Sequence, residues 1–293
     1  MTSTGSVEGS RLRQSPATGG RTPLFTRADH HVYAAHRLGE LLPGRPSGVT
    51  GNQWNTASRE GYDFVVRRTG SGLPVVAVEI GPAAAAGSPA QRVDRMKTAV
   101  SAAAGLPVLR IESPTLRPAE HGRRVVEYVL DARDYAAATA PGDPDVPAPV
   151  GFREILGRLP DGRTGHVNDL GALARAAAVD AYIARRLVDP IVRGLHVRWT
   201  GGAAEGWSWV EVRPGACLVE RVSVWERRFS CGIDPAQLAE DLAAVAVGER
   251  LRGLDGAEPE LVSRDALRGA ILALRDRRDE LTGGFAFDHL CAD

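Results

Sequence analysis

The sequence predicts an α/β fold in two parts, an N-terminal mixed sheet flanked by helices and a C-terminal α+β region. Three observations predict it. An apolar strand, a helix and a second apolar strand follow one another within about 35 residues, from "PVVAVEIG" to "LPVLRIES". That order pairs the two strands in parallel and puts helices over the sheet. The run "VVAVEI" at 75–80 is almost wholly apolar, as a strand covered on both faces must be. Residues 136–150, "AAATAPGDPDVPAPV", are rich in Ala, Pro, Gly and Asp and read as a linker. The expected organisation is a disordered tail over 1–21, a first domain over 22–135, the linker, and a second domain over 151–293.

Each element has its own signal. "FTRADHHVYAAHRLGELLPG" predicts a helix, with Thr26 as N-cap, Asp29 at the third position, a stripe of Val32, Ala35, Leu38 and Leu42, and Pro43-Gly44 as its stop. Tyr62–Arg67 and Pro74–Ile80 flank the turn at Thr69–Gly72 and predict a hairpin. Ser88-Pro89 opens a second helix and Gly105 ends it. "LPVLRIES" is a short strand and "RPAEHGRRVVEYVLDARDY" a third helix. Beyond the linker come a long helix over 168–192, three antiparallel strands, a helix opened by Asp234-Pro235, and a last helix ended by Gly283-Gly284.

Composition narrows the function. The 36 basic and 36 acidic side chains cancel, so a nucleic-acid site has to come from a local patch and not from a basic field. Three scattered cysteines, Cys217, Cys231 and Cys291, suit neither a disulfide framework nor a zinc site, and imply a reducing, cytoplasmic setting. The first residues lack the apolar stretch of a signal peptide, and no run of 18 apolar residues predicts a membrane span. Of the 36 basic residues, 35 are arginine and one, Lys97, is lysine. An Ala-, Gly- and Arg-rich chain is what a high-GC genome produces. A lysine that survives there is either an accident of drift or a residue whose compact ammonium an arginine fork does not replace.

Phosphodiester hydrolysis at neutral pH calls for a divalent cation, and Mg²⁺ or Mn²⁺ calls for hard oxygen ligands. Adjacent strands of one hairpin supply two carboxylates here, Asp63 and Glu79. Glu79 interrupts a buried apolar strand, a costly place for a charge unless it is paired or bound to a cation. The competing reading makes Asp63 a solvated turn residue and Glu79 a strand end near the surface.

Four stretches in order, "PLFTRAD", "YDFVV", "PVVAVEIG" and "RVDRMKTAVSAAAGLPVLRIES", resemble a bacterial restriction-endonuclease-like family of the PD-(D/E)xK nuclease superfamily over about 110 residues. The family's segments read "LxTxAE", "DFV", "IELDD" and "RDxxKDxxLxxAGIPLLR", and "AAGLPVLRI" is the most specific match. The resemblance implies an αβββαβ core and a metal-dependent nuclease acting on DNA or RNA. It implies Asp63 and Glu79 as Mg²⁺ (or Mn²⁺) ligands with the Ile80 carbonyl as a third, and Lys97 as the residue that orients water or stabilises charge. Asp29 and Asp94 take supporting places. Where the family has "ELDDxSH", this chain has "EIGPAAAAGS", so a second acid and a histidine are missing. A nuclease fold that only binds nucleic acid or protein is the alternative.

In the second half, Trp207, Trp209 and Trp225 are interleaved with Arg198, Arg213 and Arg227. Such a set stacks bases and contacts phosphates, or else forms a tryptophan-rich sheet core with arginines on the wet face.

Overall fold

The computed structural model of the chain describes residues 21–139, 151–254 and 259–283. They fall into two compact units. The first comprises the described residues up to Glu79, then Ala83–Leu109 and Arg227–Phe229. The second comprises Ile80–Pro82, Arg110–Glu226 and the described residues from Ser230 onward. The architecture is mixed α/β.

In the first unit, β1 (Phe25–Arg27) and β2 (His30–Arg37) form a hairpin. The short helices α1 (Leu38–Leu41) and α2 (Gly51–Ala57) follow, then β3 (Gly61–Arg68), β4 (Pro74–Gly81), α3 (Pro89–Ala104) and the start of β5 (Val108–Glu112). The strand order is β1-β2-β3-β4-β5. The first three pairings are antiparallel. Between β4 and β5 the direction changes. The Ala77 N–H donates to Pro107 O, and further along both strands the Ser113 N–H donates to Gly81 O, so the two run in parallel.

Local signals account for α3. The Ser88 hydroxyl accepts from Gln91 N at 3.1 Å, Pro89 occupies the first turn, and Gly105 closes the helix at φ 71°, where a side chain would strain. The face that α3 buries packs Val100 and Ala104 with Leu38, Leu41, Leu42, Ala57, Tyr62, Val65 and Ala77.

The helix expected across Thr26–Leu42 is not formed. Ala28 turns the chain at φ 47°, and residues 30–37 pair with β3, from His30 opposite Arg68 to Arg37 opposite Gly61. Part of the stripe that suggested a helix comes from Leu38 and Leu42, which are buried in and just beyond α1. Pairing with two neighbours outweighs the local period, as it commonly does for Val- and Tyr-containing runs.

The second unit takes the rest of β5 and then α4 (Pro118–Ala138), the β6–β7 hairpin (Leu156–Arg158, Thr164–His166) and α5 (Ala172–Ile183). There follow β8 (Arg193–Arg198), β9 (Ala203–Arg213), β10 (Ala216–Arg227), α6 (Pro235–Arg252), β11 (Val262–Ser263) and α7 (Arg264–Asp276). Its strands are ordered β5-β10-β9-β8, with β11 on β10. Strands β8, β9 and β10 are antiparallel, as the sequence leads one to expect. Asp234 caps α6 by accepting from Ala236 N at 2.8 Å. A Cβ at Gly206 of β9 would overlap the backbone of Ala239 and Glu240, so α6 rests directly on the strand.

Three sequence boundaries move. Residues 110–139 group with the second unit, so α4 does not complete the first domain. The helix expected over 168–192 spans only Ala172–Ile183, and Arg185 turns at φ 59°. The last helix ends at Asp276, not at Gly283. Residues 1–20 of the expected tail, 140–150 of the expected linker, Gly284 and Cys291 lie outside the described residues. Among the described residues no helix is long and apolar enough to cross a membrane.

Candidate functional site

Glu79 lies near the end of β4 and Lys97 in the middle of α3. The helix packs on the sheet so that Lys97 Nζ lies 2.8 Å from Glu79 Oε1. Lys97 is 5% exposed, an environment that ordinary surface lysines avoid because a buried ammonium without a partner is costly. Glu79 supplies the counter-charge and keeps some contact with solvent. On the other side, Nζ stands 4.2 Å from the centre of the Tyr62 ring. The Tyr62 hydroxyl is 2.6 Å from Ser101 Oγ, and Ser101 Oγ–H donates to the Lys97 carbonyl at 2.8 Å. Tyr62 and Ser101 form no part of the sequence expectation.

Asp63 is half-buried in β3. The ladder pairs Val65 with Ala77 and Phe64 with Val78, so Asp63 and Glu79 are the next opposed positions along the two strands. Asp94 is half-buried three residues before Lys97 in α3, on the adjoining turn. Ile80 follows Glu79 in β4 with a buried side chain, and groups with the second unit. Asp29 does not join them. It sits in the β1–β2 turn, with its carboxylate 3.0 Å from His30 Nδ1 and 3.5 Å from Arg68 Nε. Arg68 lies five residues along β3 from Asp63, about 17 Å at strand rise. The capping role expected for Asp29 disappears with the helix. Gly81 and Pro82 follow Glu79 and bring no carboxylate.

The Trp/Arg set separates into core and surface. Trp207 is 2% and Trp209 6% exposed, packed with Leu195, Val197, Leu267, Ile271 and Leu274 beneath α7. Neither ring has a face open to a base, which corrects the base-stacking expectation for both. The indole N–H groups of Trp199 and Trp207 both donate to Glu205, at 2.9 and 2.6 Å, and the Arg221 guanidinium lies 3.6 Å over the Trp207 ring. Arg198 is exposed and paired with Asp234 at 2.6 Å. Trp225 is half-buried, and Arg213 and Arg227 are exposed.

Other charged clusters of the second unit are internally satisfied to different degrees. Glu220 is buried between Thr115, at 2.9 Å, and Arg250, at 3.0 Å. Asp241 is 2% exposed with Arg153 at 2.7 Å. Burial outweighs that guanidinium and pushes its carboxyl up to about 7. Glu120, His121 and Glu249 converge. There His121 Nδ1 accepts from the Arg117 N–H at 3.0 Å and Glu249 pairs with Arg252 at 2.6 Å, which reads as a capping contact.

The free thiols Cys217 and Cys231 are buried. No curated protein and no solved structure matches the chain. A family model described as a protein of unknown function (DUF2726) matches residues 27–128, a stretch that begins in β1, contains Asp63, Glu79, Asp94 and Lys97, and ends within α4.

Proposed function

We infer that the first unit carries a metal-dependent phosphodiester-cleaving site of the PD-(D/E)xK kind, acting on DNA or RNA. The observation that supports this reading most is the Lys97–Glu79 pair at 2.8 Å, one strand away from Asp63. A half-buried carboxylate on each of two adjacent strands is a hard-oxygen donor set, which suits Mg²⁺ or Mn²⁺. Bound there, such a cation would act as Lewis acid toward a phosphate oxygen and lower the pKa of a water. Asp63 and Glu79 hold the donor oxygens. The Lys97 ammonium, fixed beside Glu79, is placed to stabilise charge that develops on the phosphate. Asp94 carries like-signed support one turn away.

A second reading is a binding module with the same fold. It is favoured by Gly81-Pro82 after Glu79, where the resembling family has acids and a histidine, and by the counter-charge that Lys97 already gives Glu79. Titration calorimetry of the whole chain with Mg²⁺ and Mn²⁺ separates the two. The catalytic reading expects saturable binding that Asp63→Ala removes, together with metal-dependent cleavage of a generic oligonucleotide. No heat of binding at millimolar metal would sink the catalytic reading and leave the binding module.

A further inference from the structure

We propose that Tyr62 is the positioning residue for Lys97. Its ring is the seat of the ammonium, and its hydroxyl anchors the stretch of α3 that carries it. The proposal rests on the reading of Glu79 and Lys97 as one site. A lysine ammonium ends a flexible four-carbon stem with many rotamers, and something has to hold it if it is to meet a phosphate in one place. Glu79 Oε1 at 2.8 Å holds it from one direction. The Tyr62 ring holds it from another, since 4.2 Å to the centroid is well within the reach of the attraction between a cation and a π face.

The hydroxyl makes the second contact with the same residue. Ser101 has one hydroxyl proton, and it is directed to the Lys97 carbonyl at 2.8 Å. Across the 2.6 Å contact Ser101 therefore accepts and the Tyr62 O–H donates. Tyr62 thus reaches Lys97 at both ends, the ammonium through its ring and the main-chain carbonyl through Ser101. Tyr62, Ser101 and Lys97 are 4%, 2% and 5% exposed, so bulk water does not replace any of these contacts. Tyr62 also fills the core beside α3. Leucine can share that packing role, but it offers neither a ring nor a hydroxyl.

The chain's one lysine makes the test direct. The full-length protein grown with ¹³C,¹⁵N-lysine shows a single lysine side-chain spin system. The proposal expects Lys97 Hε protons shifted upfield by the ring, with cross-relaxation to the Tyr62 ring protons. It expects the upfield shift to survive in Tyr62→Phe and vanish in Tyr62→Leu. With Mg²⁺ and an oligonucleotide, Tyr62→Leu should lower kcat by roughly tenfold or more while KM stays within about twofold, the mark of lost positioning and not of lost binding. Random-coil lysine shifts in the wild type, or an upfield shift that persists in Tyr62→Leu, overturn the proposal. A ring-dependent shift in a protein that binds no Mg²⁺ supports the seat and removes only the metal reading. If Tyr62→Leu does not fold, the wild-type cross-relaxation and the Tyr62→Phe shift decide.

Discussion

Each unit sets a cation over an aromatic ring with a carboxylate nearby, and the two arrangements differ in what is buried. In the first, Lys97 lies inside at 5% exposure, against Tyr62 and Glu79. In the second, Trp207 lies inside at 2% and Arg221 is laid over it from the solvent side, with Glu205 accepting a hydrogen bond from the indole N–H. Covering a buried ring with the stem and head of an arginine is ordinary surface packing. Burying an ammonium works against stability, since two charges must be taken from water to make one contact. The chain's one lysine occupies such a costly position, as Arg67 does at 3% exposure, and a charge kept there fits a constraint other than stability.

Substitutions can break that contrast. Trp207→Ala should cost the most, about 3–5 kcal/mol in denaturant unfolding, because it removes a large core side chain and leaves a cavity. A loss under about 1 kcal/mol would mean that the ring is peripheral and again available to a ligand. Lys97→Arg should cost about 1–3 kcal/mol by forcing a larger fork into a filled space. If its stability equals that of the wild type, the ammonium lies in open space and the contrast fails. Arg221→Ala should cost least, about 0.5–1 kcal/mol, the value of an exposed cation over a ring.

Asp241 sharpens the comparison from a different side, as a buried carboxyl of the second unit whose proton is readable. Its folded carboxyl is pushed up to about 7 from 3.8. Between those values the native state holds the proton and the unfolded chain releases it. The stability this group contributes is therefore fullest below about pH 4 and declines as pH rises toward 7. Asp241→Asn should flatten that part of the stability–pH curve. A slope unchanged by the substitution would assign it to other groups.

The strands and helix that carry Asp63, Glu79 and Lys97 were legible because their signals are local: Ser88-Pro89 at one end of α3, Gly105 at the other, and a glycine turn between β3 and β4. The β1–β2 hairpin was not, because Val32, Leu38 and Leu42 satisfy a helical period while partners 24 to 38 residues away decide the strand. Tyr62 and Ser101 mark the same limit within the site. Ser101 stands four residues after Lys97, on the same face of α3, and that spacing is visible in the chain. Where the Tyr62 ring points depends on how β3 pairs, and no neighbouring residue announces it. Interleaved Trp and Arg likewise fit a wet binding face and a dry core equally well until α7 covers one side.

The contact of α6 with β9 at Gly206 has a counterpart at Gly248, where a Cβ would press on Ala174 of α5. The helix is therefore notched on two sides, once by a glycine of its neighbour and once by a glycine of its own. Slipping it by one turn would present Ala244 or Arg252 to Ala174 in place of Gly248, and the side chain would act as a stop. Its axial register is thus keyed by two missing methyl groups, so that Asp241 and Arg153 meet at a fixed height along the helix each time the unit assembles.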